Sequence, residues 1–344
     1  MQLFNKHNNG SQELVQVLGL IDDDLPFSKW APIIPLGIRD LKAIVGADVI
    51  TELDNFYQHC DDPDFNSASA AVPDGSPSVP SPTVPDGSPS VPSSPLPAMH
   101  EAVRLAQQAA AMFTWLKVIP TLDAQHSASG RAKRLGENEH GMTAAQEFKD
   151  EDNIRAMAFQ ATDALIAHLD DCQFLWWMES ERKKRIAQLL IPSKEIFDEY
   201  YVIGSHRLFL TLVPMIRETQ ESDIIPIITR ARFDLLLQGD ETLCSILLDA
   251  ARRPLALLTM VKAVERLPIE VLPEGIVQVQ QSQTIRDKLK AEREARQAVA
   301  TSLSADAARY LQKLADIITE LDAQSATPDY HVPSPTLQSR GITF

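Results

Sequence analysis

A mainly α-helical protein, made of two tandem and divergent copies of a small helical bundle, is what three observations in the sequence predict. The first is composition: 344 residues, 44% apolar and 23% charged, suffice to bury one sizeable core or two modest ones. The second is a self-match without gaps, in which Ser11 to Ile34 lies over Ser193 to Ile216 at a constant offset of 182 residues. The third is apolar spacing at the helical period, as in Met99, Val103, Ala106, Ala110, Phe113 and Leu116.

Within the self-match, Ser11, Glu13, Ile21, Phe27, Pro32 and Ile34 meet identical residues, six of 24 positions. Leu14/Ile196, Val15/Phe197, Leu20/Val202 and Ile33/Met215 keep apolar character. At an offset of 183, Ile44, Ile50 and Leu53 fall on Ile227, Phe233 and Leu236. At 148, EAVR (Glu101 to Arg104) falls on DAAR (Asp249 to Arg252), Met112 on Met260 and Pro120 on Pro268. At 152, LIAHLDD (Leu165 to Asp171) pairs with IITELDA (Ile317 to Ala323). The order of segments is kept, which predicts a first copy over 1–172, a connector over 173–192, a second copy over 193–323 and an extended tail over 324–344.

The fall in offset from 183 to 148 means that the first copy carries 35 residues more between Leu53 and Glu101. Residues 72–95 lie there and read VPDGSPSVPSPTVPDGSPSVPSSP, one twelve-residue phrase written twice. Such Pro/Ser composition cannot bury enough apolar surface to repay ordering, so a surface insertion over about 61–97 is expected. Its sharper reading is a polyproline II ligand for a partner groove. In the second copy the same connection is short, roughly QGDETLCS.

Pro120 and Pro268 are expected to end equivalent helices, because proline disfavours the helical conformation of the residue before it. Beyond Pro268, IEVLPEGIVQVQ suggests a short β-hairpin, and the matching loop of copy one, TLDAQHSASGRAKRLGENEHG, is more polar. Long helices are expected to resume at about Ala144 to Asp170 and Ser282 to Leu321.

Charge and cysteine content narrow the function. A net charge of −15 argues against nucleic acid as the primary ligand. Three scattered cysteines, Cys60, Cys172 and Cys244, do not make a disulfide framework and fit a reducing compartment. The start, MQLFNKHNNG, lacks a signal-peptide pattern and no apolar run is long enough to span a bilayer, so a protein that is cytosolic or assembled there is expected.

Phosphate-loop, dinucleotide, zinc-protease, serine-hydrolase and CxxC motifs are absent, and the expectation is a protein that is not an enzyme and holds no cofactor or metal. His168 and Cys172 stand at metal-ligand spacing on one helix face, but two ligands do not make a site. HCDDPD (His59 to Asp64) lacks the glycine and final glutamate of a calcium loop. Ser205 beside His206 serves better as a helix N-cap than as a nucleophile.

The stretches FSKWAPII and LKAIVGADVITEL, an apolar helix ending LKVIP, a helix ending LIAHLDD, the paired tryptophans Trp176 and Trp177, then IPSKEIFDEYYVIGSHRLF and FLTLVPMI carry a resemblance. Together they resemble an uncharacterised protein family of Bacteroides-type phages and prophages found among virion structural genes. Such proteins resemble head-tail connector, or neck adaptor, subunits. The resemblance implies a homo-oligomeric ring in the virion neck, assembled in the host cytoplasm and joining the portal protein to the tail or to another neck protein.

On that reading Trp176 and Trp177 are interface candidates, since adjacent indoles on a connector do not both point inward easily. Arg131, Lys133 and Arg134 in RAKR form a candidate DNA-facing loop touching packaged DNA weakly and without sequence preference, while RKKR (Arg182 to Arg185) is expected to be a solvated face. Other readings are a helical scaffold recruiting a partner through the Pro-rich loop, and an enzyme whose site bears no known motif.

Overall fold

A computed structural model describes residues 3–19, 25–62, 95–127, 130–133, 143–267 and 285–325. Most of the Pro/Ser insertion, the hairpin expected after Pro268 and nearly all of the tail lie outside the described residues. The chain forms two compact units, one of residues 1–187 with 204–211 and one of 188–203 with 212–344.

In the first unit α1 (Gln12–Leu18), α2 (Phe27–Trp30), α3 (Ile34–Val45) and α4 (Ala47–His59) all pack on α5 (Pro95–Asp123). The stripe Ile34, Ile38, Leu41 and Val45 gives α3 one buried face, and Val49, Ile50, Leu53 and Phe56 do the same for α4. Ala102, Ala106, Ala109, Ala110 and Ala111 are buried on several sides of α5, and their small side chains let neighbours surround it. Trp30 stacks on Trp115 at 5.1 Å between ring centroids, which fastens α2 to the central helix.

A short antiparallel hairpin of β1 (Ala124–Ser127) and β2 (Gly130–Lys133) follows, with Ala124 opposite Lys133 and His126 opposite Arg131. The chain then enters α6 (Ala144–Cys172), opened by a reciprocal cap: the Gln146 backbone N–H donates to Thr143 Oγ1, and the Thr143 backbone N–H donates to Gln146 Oε1. Helix α6 runs along α5, and Phe159 meets Phe113 edge-on at 5.8 Å.

Pro120 does not end its helix, contrary to expectation, for α5 continues to Asp123. A proline this close to the end forfeits a single intrahelical donor, and Thr121 Oγ1 donates to Val118 O at 2.6 Å to help close the last turn.

After α6 come α7 (Leu175–Met178) and α8 (Glu181–Ile186), also in the first unit. The second unit contains α9 (Lys194–Asp198) and the part of α10 (His206–Thr219) from Leu212 onward. It continues through a π-helical turn, Gln220–Ile224, into α11 (Ile225–Ile228), α12 (Arg230–Gln238) and α13 (Glu241–Leu243). A second π-helical turn, Cys244–Leu248, leads into α14 (Asp249–Arg266), and α15 (Ile285–Ser325) runs along α14 as α6 runs along α5. Here the helix does stop before its proline: Leu267 is extended (φ −90°, ψ 148°) and precedes Pro268.

The duplication is visible in backbone detail. The offset of 182 at Ile34/Ile216 becomes 183 at Ile44/Ile227, so the second copy holds one extra residue between these points. The π turn at Gln220–Ile224 lies there, and a π turn is how a helix absorbs a single inserted residue. Beyond it Gly46 falls on Thr229. Each is the single residue between two consecutive helices, and each has positive φ with the same ψ: +111° and 152° for Gly46, +71° and 152° for Thr229.

Candidate interaction site

Helix α6 ends on Gln173, whose left-handed backbone (φ 48°) turns the chain back toward the helix. Phe174 then precedes one turn of helix, Leu-Trp-Trp-Met, which cannot bury every side chain at once. Trp177 takes the inward position and is fully buried. Its indole N–H donates to Asp170 Oδ1 at 2.6 Å, and Lys183 pairs with the same oxygen while its ammonium lies 5.2 Å from the centre of the indole ring. Trp177 thus pins α7 to both α6 and α8.

Leu175 and Met178 are the exposed side chains of the turn, while Phe174 and Trp176 are half-buried and pack against the core. Leu175 is 72% exposed and Met178 44%. Half-buried Trp176 stacks on Phe174 with centroids 5.5 Å apart and ring planes 13° apart. Of the two tryptophans the sequence offered as interface candidates, Trp177 is fully buried in the core and Trp176 is half-buried against it. Its exposed neighbours Leu175 and Met178 were not singled out from sequence. The signal was the length of the apolar run, since five consecutive apolar residues leave some on the surface.

The adjoining RKKR run is not one solvated face. Arg182 donates to the backbone oxygen of Ile44, and burial lowers its pKa from the usual guanidinium value. Lys183 is committed to Asp170, whereas Lys184 and Arg185 are exposed, with Lys184 3.4 Å from Glu181. Ser180 caps α8 by accepting the Lys183 N–H at 3.3 Å, which fixes these charges beside the apolar turn.

The other singled-out residues have structural work. His168 Nε2 lies 2.8 Å from Ala98 O and so ties α6 to the start of α5. Cys172 Sγ sits 3.6 Å from that same nitrogen, and burial raises the thiol pKa, away from thiolate chemistry. Ser205 Oγ donates to Asp163 and accepts the Leu208 N–H at 3.1 Å, the cap its position suggested. In the HCDDPD stretch, Asp61 pairs with Lys6 at 2.9 Å and His59 Nδ1 lies 2.8 Å from Asn55 O. Among the described residues no group of three or more His, Cys, Asp or Glu side chains is placed to hold a metal ion, and no helix is long and apolar enough to cross a membrane. Arg131 and Lys133 fall on β2, while Arg134 lies outside the described residues.

A family model described as a family of unknown function, DUF6712, matches residues 93–186 and 221–336. The first stretch takes in α5, the hairpin and the whole candidate site; the second takes in α11 to α15. No curated protein and no solved structure matches the chain.

Proposed function

From the premise that the chain belongs to the DUF6712 family, whose function is unknown, we propose that it is a structural adaptor of a phage neck: one subunit of a ring that joins the portal to the tail or to the next neck protein. The observation that carries this reading is the turn Leu175–Met178. Large apolar side chains stand exposed there on backbone held rigid by the buried Trp177, its bond to Asp170 and the Ser180 cap. A partner that covers such a turn binds a preorganised surface and loses little conformational entropy in doing so. Tryptophan is among the residue types enriched where binding energy concentrates in protein interfaces. The tandem helical fold supports the reading as well, since two copies in one chain offer two distinct surfaces, as a ring subunit placed between different neighbours requires.

Native mass spectrometry of the purified chain, alone and mixed with the portal protein, is the test. The expected result is a ring or a many-copy assembly with the portal, weakened at least tenfold by Trp176→Ala with helicity unchanged. A chain that stays at its monomer mass of 38.1 kDa under both conditions overturns the proposal.

A further inference from the structure

The sequence holds a single Asn-Gly pair, Asn9–Gly10, and the structure places it in the loop that leads into α1. Asn-Gly is the pairing most open to succinimide formation, because glycine has no side chain to hinder attack by its own backbone nitrogen. Asn9 is exposed, so water reaches its side-chain amide. The attacking nitrogen is engaged elsewhere. Gly10 N–H donates to Asn5 Oδ1 at 3.1 Å, with left-handed backbone at both residues (φ 60° at Asn5, 68° at Gly10). Asn5 is itself held on the body of the first unit. Its own N–H donates to Glu13 Oε2 at 2.6 Å, and the next N–H, of Lys6, donates to Tyr57 Oη at 3.0 Å. Glu13 in turn accepts the Tyr57 hydroxyl at 2.8 Å and the Gln107 side-chain amide at 2.7 Å. Residues of α1, α4 and α5 thus fix the acceptor that engages the Gly10 proton.

We infer that Asn9 is a modification site, converted to aspartate and isoaspartate through a succinimide, and that Asn5 guards it while the first unit is folded. In the ring-closing step the Gly10 nitrogen gives its proton to water or hydroxide and bonds to Asn9 Cγ. The Cγ–Nδ2 bond breaks, and the side-chain nitrogen takes up a proton and leaves as ammonia. One water then adds to either carbonyl of the succinimide, giving aspartate by one route and isoaspartate by the other, with no oxidation or reduction. The bond to Asn5 opposes the first step, because the proton it engages is the one that must leave, and the Asn5 oxygen repels the anionic nitrogen that remains. Both products carry a new negative charge. The isoaspartate form also lengthens the main chain by one carbon, between the buried Leu3 and Phe4 and the start of α1. The inference is independent of the adaptor reading.

The test incubates full-length chains in mildly alkaline buffer and measures aspartate and isoaspartate at position 9 by peptide mapping with mass spectrometry. The native chain is compared with Asn5→Gly, which removes the acceptor and accepts the left-handed backbone, and with Asn5→Asp, which keeps an acceptor oxygen. The native chain unfolded in guanidinium chloride gives the unguarded rate. The folded native chain is expected to convert more slowly than the unfolded one. Asn5→Gly should convert about fivefold faster than the folded native chain, the worth of one net hydrogen bond, and Asn5→Asp should not. A folded native chain that converts as fast as the unfolded one overturns the inference, and so does an unfolded chain that shows no conversion at position 9. Asn5→Gly converting at the native rate, with helicity kept by circular dichroism, overturns the guard, as does Asn5→Asp converting as fast as Asn5→Gly. Hydrogen exchange supplies a readout that needs no variant: the Gly10 amide is expected to be protected in the native chain, and an unprotected one overturns the guard.

Discussion

The same helix crossing is built twice in this chain, and the two versions hold together by different means. In the first copy α3 meets α5 at Gly37, so closely that a Cβ placed there would lie 2.2 Å from Thr114 Oγ1 and 2.8 Å from the backbone oxygen of Ala110. In the second copy the position of Gly37 is taken by Thr219, which is fully buried, and that of Thr114 by Lys262. Lys262 pairs with Asp223 at 3.3 Å and with Glu218 at 3.4 Å, and Arg266 reaches Glu218 at 2.6 Å. The carboxylate itself is common to both: Asp40, which lies 183 residues before Asp223, pairs with Lys117 of α5 at 2.6 Å. After duplication one crossing relies on the smallness of a glycine, and the other on a larger side chain with ions at its rim.

The most forceful way to break this comparison is Gly37→Ala. The clash is with backbone as well as side-chain atoms, so α3 must move away from α5, at an expected loss of about 3 kcal/mol on the scale of overpacked cores. Thr219→Ala is the control in the other copy. The Thr219 hydroxyl is buried without a hydrogen-bond partner in the structure, so its removal should change stability by no more than about 1 kcal/mol. Urea denaturation of both variants measures the contrast. Equal effects would mean that the two crossings are equally tight.

The next test exchanges the residues that divide consecutive helices. Thr229 has a β-branched side chain at φ +71° and ψ 152°, a region that essentially only glycine occupies without strain. Thr229→Gly relieves a strain of about 1–3 kcal/mol and returns part of it as the extra freedom of an unfolded glycine, for a net expected gain of about 1 kcal/mol. The converse, Gly46→Thr, introduces that strain and a Cβ 2.5 Å from Asp48 Oδ1, and should destabilise by about 2 kcal/mol. A Thr229→Gly variant less stable than the parent would mean that the threonine side chain makes compensating contacts.

These pairs show what the sequence made legible and what it did not. Offsets between apolar residues exposed the duplication because a packed helix face tolerates change within a class and not between classes, as Ile50 and Phe233 illustrate. The single-residue step from 182 to 183 was visible as well, but a change of offset does not say whether a loop or a helix absorbs the residue. Here the π turn does, and its Gln220 is buried, accepting the Leu190 N–H at 2.9 Å and donating to Gln188 O at 3.1 Å. Pro120 was misread because local preference at the preceding residue is weaker than a helix already packed over its earlier turns. At the candidate site the tryptophan pair was legible and the choice between its members was not. Which indole turns inward depends on Asp170 and Lys183, seven residues before and six after Trp177, through a turn set by the left-handed Gln173.

The smallest expected effect concerns the ionic rim, where Glu218, Lys262 and Arg266 give the second copy more ion pairs than the first. Hydrogen bonding from Arg266, reinforced by Lys262, lowers the Glu218 carboxyl from its usual 4.5 to about 2. Because the folded pKa lies below the unfolded one, the contribution of this group is complete above pH 4.5 and fades as the pH falls toward 2. Glu218→Gln should therefore be less stable than the parent at pH 7, with the difference closing between pH 4.5 and 2. The group is exposed, so the difference should be modest and should shrink in high salt. Leu36 occupies the matching place in the first copy, and Leu36→Gln serves as the comparison, with a change in stability that does not vary across this pH window. Denaturation midpoints for both variants and the parent, taken at steps from pH 7 to 2, measure it. A Glu218→Gln difference that persists unchanged at pH 2 would assign its effect to packing, and the rim of the second crossing would then owe as little to charge as the glycine contact of the first.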